Sequence, residues 1–391
     1  MTTGRTLVAA PLLATVTVLL VAANLRAAIT SVGPVLDRIG ADTGLSSTAL
    51  GVLGAVPLLT FAVVSPSVHL LSRRVGTERA VFAALVVLVL GTVLRSLPGQ
   101  QVTLWLGTVL LGACIAVGNV LLPVIVKARF PARVAVLTSV YTSVMSGVAA
   151  LASGVSVVLA GVGGWRLALG IWAVLGVPAV LLWAPRLRTA TRAAVPAGPG
   201  ASMWTAPVAW YVALFMALQS TSFYLLITWL PSIEAGHGVS ASAAGWHLFA
   251  FQLTGIAAGL VAGPVIRASA DQRAIGVVLS ALMVIAMTGL LLAPAAVLLW
   301  VTLAGVSAGG AIVLALTLIG LRTRTAGDTG RLSGMAQGVG YLIAAAGPVG
   351  VGALHDRTGG WTWPLIAEIT VATGQLFVAL LAGRDRYTHA A

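Results

Sequence analysis

Residues 103–126 read TLWLGTVLLGACIAVGNVLLPVIV and contain no charged side chain. A helix needs about 20 predominantly apolar residues to cross the hydrocarbon core of a bilayer, and this stretch is long enough. Similar runs fill the chain, of which 59% is hydrophobic and 8% charged. Soluble domains carry about 25% charged residues, so we exclude a water-soluble fold and expect an all-α polytopic membrane protein.

Apolar runs separated by Gly, Pro and charge clusters predict twelve transmembrane helices in two sets. The expected spans lie near 7–33, 46–70, 80–97, 103–126, 134–160, 165–185, 207–231, 241–266, 274–292, 295–320, 332–354 and 361–382. Residues 186–206 hold several arginines, prolines and glycines, a composition typical of a linker. We therefore predict a six-helix bundle over 1–185, a cytoplasmic linker over 186–206 and a second six-helix bundle over 207–391.

The basic residues predict the orientation. If both termini are cytoplasmic, most of the 22 Lys and Arg residues fall on the inner side, and only Arg38, Arg95, Arg166 and Arg357 fall on the outer side. This asymmetry obeys the positive-inside rule. Lys127 is the only lysine, a bias typical of GC-rich bacterial genomes, so we expect a multi-pass protein of a bacterial inner membrane.

The two sets resemble each other at an offset close to half the chain length. Gly163-Gly164-Trp165 corresponds to Gly359-Gly360-Trp361, and Thr77-Glu78-Arg79-Ala80 corresponds to Asp271-Gln272-Arg273-Ala274. A duplicated unit of this kind predicts two pseudo-symmetric halves.

Arg26 is the most informative single residue because it lies within the first span. An arginine at a helix centre costs about 2.5–3.5 kcal/mol on insertion scales, so we expect it to face a partner or an aqueous cavity. Its guanidinium could hold a small planar anion through two parallel hydrogen bonds, with Asn24 as a second ligand. The alternative is that Arg26 extends to the outer membrane interface.

Further polar and aromatic residues lie in spans expected to line a cavity. They are Asn119, Tyr141, Gln219, Phe223, Tyr224, Gln252, Gln337 and Tyr341. Together they fit a small, mostly apolar pocket with a few placed polar groups. Hydrogen bonds between helices would satisfy each of them equally well without a substrate.

Two residues are candidates for carrying a coupling proton. Glu368 is the only acidic residue that the predicted spans place well inside the bilayer, and His247 is the only deeply placed histidine. Burial and neighbouring charges could tune either group for proton transfer. Each could instead be a satisfied structural group.

The sequence shows no enzyme signature. It contains no clustered metal-ligand set and no phosphate-binding glycine loop followed by Lys and Ser or Thr. We therefore expect no cofactor, no ATP-driven pumping and no nucleic-acid partner; the partners are a small-molecule substrate, the lipid bilayer and, in a coupled carrier, protons.

Four stretches carry a family resemblance: NLRAAITSVGP at 24–34, GNVLLP at 118–123, GMAQGVGY at 334–341 and HDRTGGW at 355–361. They resemble the major facilitator superfamily and, within it, the cyanate/nitroimidazole (CynX/NimT) family. The resemblance implies a major facilitator fold that works as a monomer. It also implies movement of a small polar solute as the two halves rock about a central site.

The loop between spans 2 and 3, HLLSRRVGTER at 69–79, only partly resembles the superfamily's signature. Leu71, Arg74 and Gly76 match, but Arg73 stands where the resemblance implies an aspartate that latches one conformation. Glu78 paired with Arg73 or Arg74 could replace that latch, so we assign these three residues and Gly76 to conformational gating.

The combined prediction is a secondary transporter of a small anion or compact polar solute, cyanate-like or nitroimidazole-like, driven by proton coupling or exchange. A multidrug-type exporter of small apolar or aromatic compounds is the alternative transport function. A non-transporting membrane sensor or scaffold is the alternative outside transport.

Overall fold

The computed structural model describes residues 3–130, 133–189, 202–324 and 326–388, and this part of the chain is helical without any strand. Its fifteen α-helices are α1 Thr3–Thr30, α2 Leu36–Thr43, α3 Ser47–Val64, α4 Val68–Val75, α5 Thr77–Leu94, α6 Gln101–Arg129, α7 Val134–Gly170, α8 Ala173–Trp183, α9 Pro207–Gly236, α10 Ala241–Ala268, α11 Arg273–Leu292, α12 Val297–Leu321, α13 Ala326–Ala344, α14 Ala346–Thr358 and α15 Thr362–Ala382. Most of the linker expected at 186–206 lies outside the described residues.

Eleven segments of the described chain are long and apolar enough to cross a bilayer. One of them, Val140–Leu187, has 48 residues, which at 1.5 Å per residue would measure about 70 Å as a straight helix, over twice the hydrocarbon thickness. It is broken at Gly163 (φ −138°) and Gly164 (φ 74°) and therefore makes two crossings. Residues other than glycine rarely adopt the left-handed φ of Gly164. The twelve-span, all-α fold predicted from sequence is confirmed.

Two corresponding helices begin with the same cap. The Ser46 hydroxyl accepts a hydrogen bond from the Ala49 amide at the start of α3, and the Ser240 hydroxyl accepts one from the Ala243 amide at the start of α10. Such caps satisfy backbone donors that a helix N-terminus leaves unpaired. The internal repeat read from the sequence thus appears in local structure.

The two sets of helices pack in matching pairs. The contacts of α1 with α7, of α5 with α6 and of α3 with α6 correspond to those of α9 with α13, of α11 with α12 and of α10 with α12. Between the sets, α3 packs against α14 and α7 packs against α10, again a matching pair. This pattern is that of a pseudo-two-fold axis between the sets.

The two sets meet closely at one end of the molecule, here called the closed end, where α9 and α14 finish and α3 and α10 begin. A Cβ added to Gly51 would lie 2.2 Å from the Pro348 carbonyl oxygen, and one added to Gly352 would lie 2.2 Å from the Ser47 carbonyl oxygen. Glycine is required there because backbones of opposite sets touch. The other end, called the basic end, carries the arginines Arg74, Arg129, Arg273 and Arg322.

Candidate substrate-binding site

A cavity of about 470 Å³ lies between the two sets of helices. Its lining runs along α10 from Phe251 to Leu260 and along α12 from Gly305 to Leu316, so it extends towards the basic end. A smaller compartment of about 170 Å³ lies against α6 and shares Arg26, Tyr224 and Tyr341 with the larger one. The two form one central site.

Arg26 is the only charged residue among the described residues that line either compartment. Its side chain is half-buried, and its guanidinium carbon lies 5.5 Å from the centroid of the Phe223 ring. None of the ion pairs in the described chain includes it. The cavity therefore carries one positive charge that no carboxylate among the described residues neutralises.

Aromatic rings cover the wall beside Arg26. Phe223 contacts Tyr224 edge-on at 5.2 Å between centroids, and Tyr224 contacts Tyr341 at 6.3 Å. Phe61 extends the cluster on the other side of Tyr341 at 5.6 Å. Edge-on packing of this kind holds the rings in fixed orientations and leaves ring faces available to a planar solute.

Nine of the ten residues proposed as ligands line the site. The larger compartment holds Arg26, Gln219, Phe223, Tyr224, Gln252 and Tyr341, and the smaller one adds Asn119, Tyr141 and Gln337. Some of their amides already have protein partners: Gln252 Nε2 donates to Ser153 Oγ at 2.7 Å, and Gln337 Nε2 donates to Ser333 Oγ at 2.8 Å.

Asn24 does not line the site, and its proposed role as a primary ligand needs correction. Its amide nitrogen donates to the carbonyl oxygens of Leu20 at 2.8 Å and Leu175 at 3.1 Å, which ties α1 to α8. Asn24 and Arg26 are two residues apart, about 200° around a helix, so they face opposite sides of α1.

Several hydroxyl-bearing residues of the lining were missed in the sequence analysis. Thr142, Ser143 and Ser146 of α7 and Ser220 of α9 contribute to the larger compartment. Serine and threonine occur throughout these apolar helices, because they can bond to their own backbone. Only their recurrence on one helix face, at 142, 143 and 146, was a usable signal.

The two proton candidates lie outside the cavity. His247 Nδ1 is 2.6 Å from Glu234 Oε2, and the Glu234 side chain is fully buried. Glu368 is also fully buried, with the Ser222 hydroxyl of α9 as its neighbouring polar group. A second acidic residue, Glu234, also lies within a membrane-spanning helix, because α9 continues to Gly236 whereas the expected span ended at 231.

Comparison with known proteins assigns this chain to a family. A family model described as Major Facilitator Superfamily matches residues 18–348. The chain belongs to the Major Facilitator Superfamily. It is a multi-pass membrane transporter and not an enzyme, as the sequence predicted, and membership of this family argues against the sensor or scaffold alternative.

Three curated superfamily members cover nearly the whole chain. An uncharacterized transporter, YycB, of Bacillus subtilis is 42% identical over 95% of this chain and 93% of its own length. The 2-nitroimidazole transporter of Escherichia coli is 38% identical over 94% of this chain and 95% of its own. The cyanate transport protein CynX of Escherichia coli is 26% identical over 92% and 94%. The expected CynX/NimT relationship is thereby confirmed.

Solved structures show the same fold. A bacterial homologue of the human lysosomal transporter Spinster, in an inward-facing and occupied conformation, aligns with a TM-score of 0.78 over 96% of this chain and 98% of that chain. The sequence identity is 16%, so the likeness concerns the fold alone.

The superfamily's loop between the second and third spans is built differently from our expectation. Glu78 Oε1 pairs with Arg129 Nη2 at 2.8 Å, not with Arg73 or Arg74, and both of these arginines are exposed. Glu78 lies in the first turn of α5, which packs against α6, and Arg129 ends that helix. Gly76 ends α4 with φ 91°, which turns the chain into α5. The pairing of Glu78 with Arg73 or Arg74 was therefore wrong.

Proposed function

We propose that this superfamily member is a secondary transporter that carries a small anion or compact polar solute across the inner membrane of a bacterium. The observation that carries the proposal is the uncompensated, half-buried Arg26 in a central cavity. Names of the relatives support it, since 2-nitroimidazole and cyanate are both small solutes. The protein works as a monomer in this proposal, because each chain holds a complete central site.

The chemistry of the site suits a planar anion. A guanidinium presents parallel N–H donors that match a carboxylate-like or nitro-like pair of oxygens. The rings of Phe223, Tyr224 and Tyr341 offer apolar surface to the body of such a solute. Amide and hydroxyl groups of Gln219, Ser220 and Thr142 line the remaining wall.

Alternating access follows from how the two sets meet. If the basic end lies in the cytoplasm, as the positive-inside rule predicts, the contacts at the closed end separate the cavity from the outside. Asp356 supports this closure by accepting hydrogen bonds from the backbone amides of Ser47 at 2.9 Å and Thr48 at 2.7 Å. Rocking the sets apart at the closed end would expose Arg26 to the outside.

Anion import needs an energy source. Moving one negative charge inward against an inside-negative potential costs about 2.3 kcal/mol per 100 mV. Coupling to a proton, or exchange for an internal anion, would supply it. Arg26 binds an anion equally from either side in such a scheme, so the gradients set the direction.

The test is counterflow in vesicles that contain only this protein. Vesicles are loaded with unlabelled cyanate or unlabelled 2-nitroimidazole, and entry of the labelled compound is followed, with protein-free vesicles as the control. We expect saturable entry of at least one of them that depends on the internal compound. Absence of counterflow for both would contradict the proposed solute class.

The exporter alternative has one observation in its favour, the aromatic wall formed by Phe223, Tyr224, Phe251 and Tyr341. For such an exporter, unrelated hydrophobic compounds would compete broadly in the counterflow assay. For the proposed carrier, inhibition would be limited to small planar anions and nitro compounds.

A further inference from the structure

Glu234 and His247 form an acid–base pair between α9 and α10, in which Glu234 is buried and His247 is half-buried. Nδ1 of His247 lies 2.6 Å from Oε2 of Glu234, and the exposed fractions of the two side chains are 19% for His247 and 0% for Glu234. The other carboxyl oxygen of Glu234, Oε1, is buried without a hydrogen-bond partner. A carboxyl group is thus held in the apolar interior by a single contact.

The partner of Glu234 determines what the pair can do. An arginine would neutralise the carboxylate permanently, whereas histidine carries a charge only when it is protonated. With one proton the pair is neutral overall, whichever atom holds that proton. Without it the pair carries one uncompensated negative charge in an apolar environment, which is strongly unfavourable. The Glu234–His247 pair should therefore gain or lose its proton only when water can reach it.

Other ionisable groups at the closed end are engaged elsewhere or exposed. Directly after α9, Nδ1 of His237 lies 2.8 Å from the Ile233 carbonyl oxygen. Asp37 on α2 accepts a hydrogen bond from Ser232 Oγ. His355 and Asp356 on α14 form hydrogen bonds with the start of α3. Asp42 on α2 forms an ion pair with Arg166 on α7. Arg38 and Arg357 are exposed, and Glu368 lies six residues into α15. None of these forms an ion pair with Glu234 in the described chain.

The pair lies beside the contacts that close the outer side. Trp246, next to His247, packs against Gly154 of α7, and Ser232, two residues before Glu234, bonds to Asp37 of α2 at 2.7 Å. His247 is one helical turn from Phe251, the first α10 residue that lines the cavity. Separation of the two sets at the closed end would give the pair access to outside water.

We propose that the Glu234–His247 pair is the proton-binding site that couples solute movement to the pH gradient. In the outward-open state the deprotonated pair takes one proton from outside water, and Arg26 binds one anion. After closure and inward opening, the proton passes from His247 towards Phe251, where the cavity lining begins one helical turn away, and from there to cytoplasmic water, and the anion dissociates. One proton and one monoanion cross together, so transport of a monoanion is electroneutral.

This inference rests on the proposed function, and the experiment separates the two. The probe is whichever of labelled cyanate or labelled 2-nitroimidazole shows counterflow in the parent protein; if neither does, the proposed function fails and the inference fails with it. Vesicles with an interior one pH unit more alkaline than the outside are then given the probe. For anionic cyanate we expect about tenfold accumulation, which a potassium diffusion potential leaves unchanged.

The variants Glu234→Gln and His247→Gln should lose accumulation driven by the pH gradient and keep counterflow, because counterflow needs no net proton movement. Matched controls are Glu368→Gln, a second fully buried carboxyl group, and His237→Gln, a histidine of the same end without a carboxylate partner. Both controls should retain accumulation.

Four results would overturn the inference. They are accumulation that persists in Glu234→Gln, absence of accumulation in a parent protein that shows counterflow, loss of accumulation in Glu368→Gln alone, and loss of counterflow in both pair variants. The last result would mean that the pair maintains the structure of the carrier and does not act as its coupling site.

Discussion

At the scale of single residues, α1 carries two polar side chains with different roles, Asn24 in packing and Arg26 in the proposed binding of solute. Asn24 is 3% exposed and donates both of its amide hydrogens to carbonyl oxygens of α1 and α8. Arg26, two positions later, has a half-buried guanidinium in the cavity lining. Burial with complete hydrogen bonding marks a packing role, and a charge without a protein partner marks a binding role.

Asn24→Ala should therefore lower stability without altering solute affinity. Loss of the amide removes two part-buried hydrogen bonds, each contributing about 1 kcal/mol, and the tie between α1 and α8. We expect a lower midpoint of thermal unfolding in detergent and an unchanged half-saturation concentration in counterflow. A half-saturation concentration raised tenfold at unchanged stability would return Asn24 to the binding site.

Sequence reasoning at this scale found most of the site and misplaced particular residues. Asn119, Tyr141 and Gln337 could be predicted, because polar groups in apolar spans must face a cavity or a partner. Glu234 was missed because the expected span ended at 231, whereas α9 continues to Gly236. The pairing of Glu78 with Arg129 depends on the packing of α5 against α6, which no local pattern records.

At the scale of elements, the closed end depends on one helix capping another across the two sets. Asp356, near the end of α14, accepts hydrogen bonds from the backbone amides of Ser47 and Thr48 at the start of α3. His355 Nδ1 adds a contact to Ser47 Oγ at 3.1 Å. A carboxylate at a helix N-terminus satisfies unpaired donors and interacts favourably with the helix dipole.

Asp356→Ala should shift the protein towards the state open at this end. A cysteine at Val349, which packs beside Gly51, would report the opening. In a background without Cys114, its labelling by a membrane-impermeant maleimide should be faster in the variant, by about 2- to 30-fold for the 0.5–2 kcal/mol that a helix cap contributes. Arg357→Ala, which removes an exposed neighbour, is the control and should leave labelling unchanged.

Backbone contact between α3 and α14 gives a second element-scale prediction. A Cβ at Gly352 would lie 2.2 Å from the Ser47 carbonyl oxygen, whereas one at Gly350 on the same helix would have no neighbour within 4 Å. We expect Gly352→Val to prevent closure and abolish counterflow, while Gly350→Val retains it. Equal counterflow in the two variants would show that closure does not require this contact.

At the scale of the whole molecule, the bilayer made much of the fold predictable. A span of about 20 apolar residues is imposed by membrane thickness, so the number and order of the crossings could be predicted from hydropathy. The break at Gly163–Gly164 falls in the gap expected between the spans at 134–160 and 165–185. The interruption at Ala345, inside the span expected at 332–354, was not predicted, since it depends on how neighbouring helices pack. The repeat of Gly-Gly-Trp indicated the duplication, and the matching helix contacts show it in space.

The central claim is that Arg26 binds the transported solute. It is tested most directly by the half-saturation concentration for counterflow of labelled cyanate and labelled 2-nitroimidazole in the parent protein, Arg26→Lys, Arg26→Ala and the exposed control Arg38→Ala. Loss of charge-assisted hydrogen bonds worth about 1.5–3 kcal/mol predicts a rise of about 10- to 100-fold in Arg26→Ala. Arg26→Lys should be intermediate, because an ammonium keeps the charge but not the paired donors. Counterflow in Arg26→Ala that matches the parent and Arg38→Ala would contradict the account.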